Sequence, residues 1–269
     1  MSGPERWSAL VLAGSRRGEA DPVARYREVR HKSLATADGV PLLVRVVRAL
    51  LATPSIGGLL VSLDDPALLD GVPDLAGLRE SGRLRVLTSA ASLSRSVAEG
   101  FAAAGAPLLV TTADHALLDP AMIRHVLAAA EAAQADVAAG LVAAATITAA
   151  YPQTRRTYLR FRDGGYSGAN LFALRTPAAA RGVAFWERLE RERKQPWRLA
   201  RAFGWSLLLA YLLRRWTLGQ AMERVSARLG LRAVAVPIPF AEAAIDVDKP
   251  ADLDLVEAIL ARRRAAEVA

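Results

Sequence analysis

Short apolar runs alternate with amphipathic stretches along most of this chain, and that alternation limits the folds open to it. Residues 8–12, 58–63, 84–87, 107–111 and 137–142 read as strands. Between them lie helical patterns. In 41–51, Leu42, Leu43, Val46, Val47 and Leu50 fall on one face, with Arg45 and Arg48 on the other. Segment 94–104 is helical and closed by Gly105, and Pro120 opens another helix over 120–133. Strand, helix, strand with short connections predicts a mainly parallel sheet covered by helices.

The regularity changes after Ala150. Residues 151–166 are polar and carry Arg155, Arg156, Arg160 and Arg162 before a Gly164-Gly165 turn. These arginines either face an anionic ligand or form an ordinary solvated surface. Strand character returns at 168–174, 176–232 reads as helical throughout, and 233–238 is a late strand. Pro250 suits the first turn of a terminal helix over 251–263. The expectation is one domain over 1–269 with a helical insertion at about 176–232.

Composition narrows the function. The chain has 269 residues and no cysteine, which excludes disulfides, thiolate metal sites and cysteine nucleophiles. The first residues lack a signal-peptide pattern, so a reducing, cytoplasmic setting is expected. A net charge of +8 suits nucleotides, nucleic acid or an anionic membrane. The arginines are scattered and form no helix-turn-helix, zinc-finger or RNP-like pattern, so nucleic acid is not expected as a partner.

Three features stand at the ends of predicted parallel strands. Ala9-Leu10-Val11-Leu12-Ala13 breaks at Gly14 into a polar loop that ends in His31-Lys32-Ser33-Leu34. Lys32 is one of only three lysines among 35 basic residues, a compact point charge where arginine is the default. Asp114 ends the strand at 107–111, and Asp246 and Asp248 precede the last helix. Ligands of open α/β sheets bind beyond the carboxyl ends of strands. Carboxylates, a lysine and a glycine turn suit a magnesium triphosphate, because Mg²⁺ takes one or two carboxylates plus phosphate oxygens and water.

These motifs resemble a known superfamily: the nucleotidyltransferases that include the molybdenum-cofactor guanylyltransferases and the cytidylyltransferases of isoprenoid and phospho-alcohol metabolism. Its opening signature is similar to Leu12-Ala13-Gly14 with Lys32-Ser33-Leu34. Its strand-end signature is similar to Asp114-His115-Ala116-Leu117-Leu118-Asp119-Pro120. The late one is similar to Asp246-Val247-Asp248-Lys249-Pro250-Ala251-Asp252-Leu253. The chain departs in having Gly14-Ser15 for a doubled glycine, a longer loop to Lys32, and Ala116 for a proline.

The resemblance implies a three-layer α/β/α sandwich with a mainly parallel, Rossmann-like sheet of the nucleotide-diphospho-sugar transferase type. It also implies roles. Leu12, Ala13 and Gly14 would contact base and phosphates; Arg16 or Arg17 would hold the β/γ-phosphates; Lys32 would reach the α-phosphate. Asp114 would bind the nucleotide's Mg²⁺ together with Asp246 or its near-equal alternative Asp248. Ser94-Arg95-Ser96-Val97-Ala98-Glu99-Gly100 resembles the helix start that reads the base in cytidylyltransferases, so Ser96 is a base-contact candidate and CTP is favoured over GTP. Gly168 and Asn170 resemble an acceptor-side loop. The acceptor would carry a phosphate or phosphonate, small or lipid-linked.

The implied chemistry is nucleotidyl transfer with release of pyrophosphate. Alternatives are a guanylyltransferase acting on a cofactor, a nucleotide-sugar-dependent glycosyltransferase, and a regulatory module with a decayed site. His31, His115 and His125 read as structural or solvated. The apolar run at 203–213, flanked by arginines, is too short to span a bilayer. It reads as a buried helix, a homodimer interface or a peripheral membrane contact near the acceptor end of the crevice.

Overall fold

The computed structural model describes residues 6–15, 20–154, 156–192 and 213–268. Its centre is an eight-stranded sheet. The strands are β1 (Trp7–Leu12), β4 (Ile56–Leu63), β5 (Leu84–Thr88), β6 (Leu108–Thr112), β7 (Val137–Ala143), β8 (Leu159–Phe161), β9 (Gly164–Leu174) and β10 (Ala233–Pro237). A small separate hairpin is formed by β2 (Thr36–Ala37) and β3 (Val40–Pro41). The order across the sheet is β10-β7-β9-β6-β1-β4-β5, with β8 paired to β9. All neighbours are parallel except those of β9, which runs antiparallel to β6, β7 and β8. The fold is a mixed α/β sandwich of Rossmann-like type with a mostly parallel sheet, as the alternation predicts.

The helices are α1 (Pro22–Tyr26), α2 (Leu42–Leu51), α3 (Pro73–Glu80), α4 (Leu93–Ala104), α5 (Pro120–Ala132), α6 (Ala144–Ala150), α7 (Ala179–Glu192), α8 (Leu218–Leu229) and α9 (Pro250–Val268). The period of two along β1 separates the two faces of the sheet. Trp7, Ala9 and Val11 pack with Val46 and Val47 of α2 and with Ile123 and Val126 of α5. Leu10 and Leu12 pack instead with Val97 of α4 and Val183 of α7. Gly100 lets α4 approach, since a Cβ there would lie 2.4 Å from Cδ2 of Leu10. A third cluster joins Val23 of α1 to Val256 and Ile259 of α9 beside the crevice.

The stretch 176–232 departs from the expectation of unbroken helix. Residues 213–217 are turn and extended chain, because Thr217 adopts the extended N-cap geometry of a capping box with Gln220. The described helices of this stretch are also part of the sandwich: α7 packs on α4, and α8 packs on β10. Residues 193–212, with nearly all of the run at 203–213, lie outside the described residues. No helix among the described residues is long and apolar enough to cross a membrane.

The β10 edge of the sheet is blocked. Ser226 Oγ both accepts the Ala233 N–H (2.9 Å) and donates to the Ala233 carbonyl (3.1 Å). Pro237 has no N–H, and its carbonyl lies 2.8 Å from His125 Nε2. Such features discourage strand-to-strand association.

Candidate active site

The crevice opens where β1 separates from its neighbours. Ala13 N–H still donates to Ser62 O (2.8 Å), and Leu12 O still accepts from Ala113 N–H (2.9 Å). At Gly14 the chain leaves the sheet. A Cβ on Gly14 would lie 2.5 Å from Ser89 Oγ and 2.9 Å from Asp64 Oδ1, so a larger residue would displace those two side chains. The next residue, Ser15, donates its N–H to Asp64 Oδ2 at 2.7 Å. Beyond this turn lies a cleft of about 330 Å³ whose lining includes Leu12, Gly14, Asp64, Ser89 and Ser96. A narrower recess between Gly14, Lys32 and Asp114 adjoins it.

Lys32 opens a single 3₁₀ turn, Lys32–Leu34, capped by His31. Its ammonium is 2.6 Å from Asp114 Oδ2 and 3.3 Å from Asp248 Oδ1. Burial alone would lower the Lys32 pKa; the charges of Asp114 and Asp248 and their hydrogen bonds outweigh it and hold the group above its ordinary value. Lys32 is a cation throughout the physiological range.

Asp114 and the late motif are stitched together by a backbone bond from Val247 N–H to Asp114 O (3.0 Å). Asp246 is thereby brought close enough for the charge of Asp114 to act on it. Burial, then that charge, push the Asp246 carboxyl up to about 8; a hydrogen bond with Asn170 opposes the shift. Oδ1 of Asp114 and Oδ1 of Asp246 are both buried and have no hydrogen-bond partner. Buried orphan oxygens on adjacent carboxylates are what a hard divalent cation would satisfy. Asp248 differs: its side chain is 70% exposed and already contacts Lys32. Among the described residues no cluster of three or more His, Cys, Asp or Glu side chains forms a metal cage. A site of this kind needs other oxygens, such as phosphate or water, to complete it.

The other sequence candidates separate. Ser96, in the first turns of α4, is buried in the cleft wall, and its Oγ accepts the Ala90 N–H at 2.9 Å. Its hydroxyl proton remains able to donate. Gly168 is exposed on β9, opposite Leu141. Asn170, at φ +46°, turns toward Asp246 rather than outward alone. Arg16, Arg17 and Arg155 lie outside the described residues. Of the other arginines, Arg160 and Arg162 are exposed. Arg156 is nine-tenths buried and paired with Asp252 at 3.5 Å.

Four residues have supporting roles that the sequence reading does not assign, although it names Arg156 as a possible anion contact and reads His31 as structural or solvated. Asp252 accepts the N–H groups of Asp248 (3.1 Å) and Lys249 (3.2 Å), which folds the late motif into its turn. Its place in that motif was the available signal. Arg156 backs this turn, reaching the Asp246 carbonyl at 3.4 Å. His31 and Asp64 contact each other at 3.3 Å, and no spacing pattern announces them. His115 is fully buried with neither ring nitrogen bonded, and burial pulls its pKa down to about 4, so it is neutral.

A mostly parallel sheet with a glycine turn, a lysine and aspartates at its carboxyl end is an arrangement suited to nucleoside triphosphates. The chain belongs to the MobA-like NTP transferase domain family, whose model matches residues 9–235. It is a nucleotidyltransferase. The late motif lies beyond the matched stretch. A hypothetical transferase from Thermus thermophilus is similar at 29% identity and TM-score 0.75, covering 92% of this chain and 99% of that one. A CMP:2-keto-3-deoxy-manno-octonic acid synthetase complexed with CTP shares the fold at 16% identity and TM-score 0.57, covering 96% and 99%. So does a 2-C-methyl-D-erythritol 4-phosphate cytidylyltransferase, also from Thermus thermophilus, at 17% identity and TM-score 0.52, covering 94% and 98%. No curated protein matches the chain.

Proposed function

We propose that this nucleotidyltransferase moves CMP from CTP to an acceptor bearing a phosphate or phosphonate, with Mg²⁺, and releases pyrophosphate. The observation that carries the reading is the pair of buried, unpartnered oxygens on Asp114 and Asp246 beside the Lys32 ammonium. Asp114 and Asp246 would hold the metal, which would neutralise and orient the phosphates. Asn170 and Asp252 keep the carboxylate turn in shape. Lys32 lies at the mouth of the recess behind Gly14 and stabilises charge that develops on the α-phosphate. The acceptor oxygen attacks the α-phosphorus, and the bond to the β-phosphate oxygen breaks. A phosphate or phosphonate acceptor is already ionised near neutral pH, so no strong general base is required. This agrees with a neutral, buried His115.

The donor preference rests on the cleft wall. Guanine presents two N–H donors that favour a free carboxylate. Asp64, the carboxylate in this wall, has Oδ2 engaged by Ser15 and His31, which leaves Oδ1 rather than both oxygens for such a pair of donors. Ser96 Oγ, which accepts the Ala90 N–H, and Ser89 Oγ, 3.1 Å from Ser62 Oγ, each keep capacity for a further bond, and hydroxyls of this kind suit the mixed edge of cytosine. A thermal-shift panel of the four NTPs and their nucleotide sugars with Mg²⁺ tests this. A donor at 100 times its Kd adds ~2.7 kcal/mol of stability. CTP should give the largest shift. A larger shift with GTP would move the reading to a guanylyltransferase, and a shift with nucleotide sugars alone would move it to a glycosyltransferase.

A further inference from the structure

The glycine turn and the lysine turn approach the same recess from different parts of the chain, and a side-chain bridge joins them. Asp64, just past β4, accepts the Ser15 N–H on Oδ2 at 2.7 Å. The same oxygen lies 3.3 Å from His31 Nε2. On the other side of the ring, Nδ1 lies 3.2 Å from the Ser33 N–H and 2.7 Å from Ser33 Oγ. The backbone N–H of Ser33 can only donate. Nδ1 therefore accepts, and the ring proton sits on Nε2, directed at Asp64. His31 is 4% exposed, so water is a poor substitute for these bonds.

From this we infer that His31 and Asp64 are positioning residues: a strut that fixes the Gly14-Ser15 turn relative to Lys32, so that both meet one triphosphate. The inference rests on the reading that the triphosphate lies between these turns. The connection between them carries α1, which packs on α9 and on the Lys32 turn, so it ties Lys32 to that side of the fold and leaves the link to the Gly14 turn to the side chains. Asp64 closes the gap by holding Ser15, and His31 closes it from the residue before Lys32. Gly14 lies beside the same carboxylate, with Asp64 Oδ1 2.9 Å from where a Cβ would stand.

The test uses calorimetry on the full chain with Mg²⁺ and two probes, CTP and inorganic tripolyphosphate. Tripolyphosphate reports the phosphate recess without the base. His31→Ala and Asp64→Ala should each weaken both probes by roughly 10- to 100-fold, the range of a hydrogen bond to a charged group. The double variant should be no weaker than the worse single, since one strut is broken once. His31→Gln keeps a donor that reaches Asp64 and should restore most of the affinity. His31→Asn keeps only the short arm toward Ser33 and should not. A merely structural role would lower the melting temperature of these two variants alike without separating their affinities. Asp64 has a side chain 39% exposed, so Asp64→Ala keeps the test open even if the His31 variants do not fold. Wild-type affinity in the single variants, or losses that multiply in the double, would overturn the strut and leave the nucleotidyl-transfer reading standing. If wild-type protein binds neither probe, the placement of the triphosphate fails, and the strut's role fails with it.

Discussion

Lys32 shows how little slack the site has. Burial works against its charge, and two carboxylates more than offset that cost. If the ammonium exists to stabilise the α-phosphate, Lys32→Ala should lower kcat for pyrophosphate release far more than it raises KM for CTP. An effect on KM alone would make it a ground-state anchor. For the carboxylates, Asp114→Asn and Asp246→Asn should each abolish pyrophosphate release while circular dichroism shows an intact fold. Normal turnover in both would remove them from catalysis. The motifs made Gly14, Lys32, Asp114, Asp246 and Asp248 legible in the sequence: Gly14 and Asp114 lie just past parallel strands, and Lys32, Asp246 and Asp248 sit in turns that return to them. The strut was not legible. Asp64 and Ser15 are 49 positions apart, and His31 and Asp64 are 33 apart, and only the sheet brings them together. Asn170 was read by resemblance as an acceptor contact; its bond to Asp246 gives it a second task that one strand's sequence cannot reveal.

At the scale of elements, the central strands and helices α2, α4, α5 and α9 follow from hydrophobic period, glycine stops and proline starts. The short pieces did not show, because α1, α6 and the β2–β3 hairpin are too brief for any period to register. The antiparallel sense of β9 is likewise a matter of connection rather than composition. Two elements give direct tests. Gly100 sits where a Cβ would strike Leu10, which is fully buried, so Gly100→Ala should destabilise the protein by ~1–3 kcal/mol in urea unfolding. A neutral result would mean that α4 moves freely against the sheet. Asp136 joins β7, α7 and β10: it accepts the Arg232 N–H at 2.7 Å and the Thr176 hydroxyl. Those bonds hold its carboxyl below the ordinary value of 3.8. The stabilisation is therefore complete above that value and is lost as pH falls through the lower folded value. Asp136→Asn should cost ~1 kcal/mol at neutral pH. The gap to wild type should narrow only in strong acid, and a gap that stays constant down the acid range would contradict the assignment.

For the molecule as a whole, the sheet gathers distant segments at one edge of the central strands. β1 delivers the glycine turn, β6 delivers Asp114, and the chain after β10 returns Asp246 to it through the bond from Val247. The described helices 179–192 and 218–229 cover a face of the sheet, and Glu190 of the first accepts from Ser94 at the start of α4 (2.6 Å). The most direct measurement is a crystal structure of the protein with CTP and Mn²⁺, using the anomalous signal of manganese. The account predicts one strong peak within coordination distance of both Asp114 and Asp246, with the triphosphate between Gly14 and Lys32. A manganese peak that engages neither aspartate, or a triphosphate bound outside the Gly14–Lys32 recess, would contradict it.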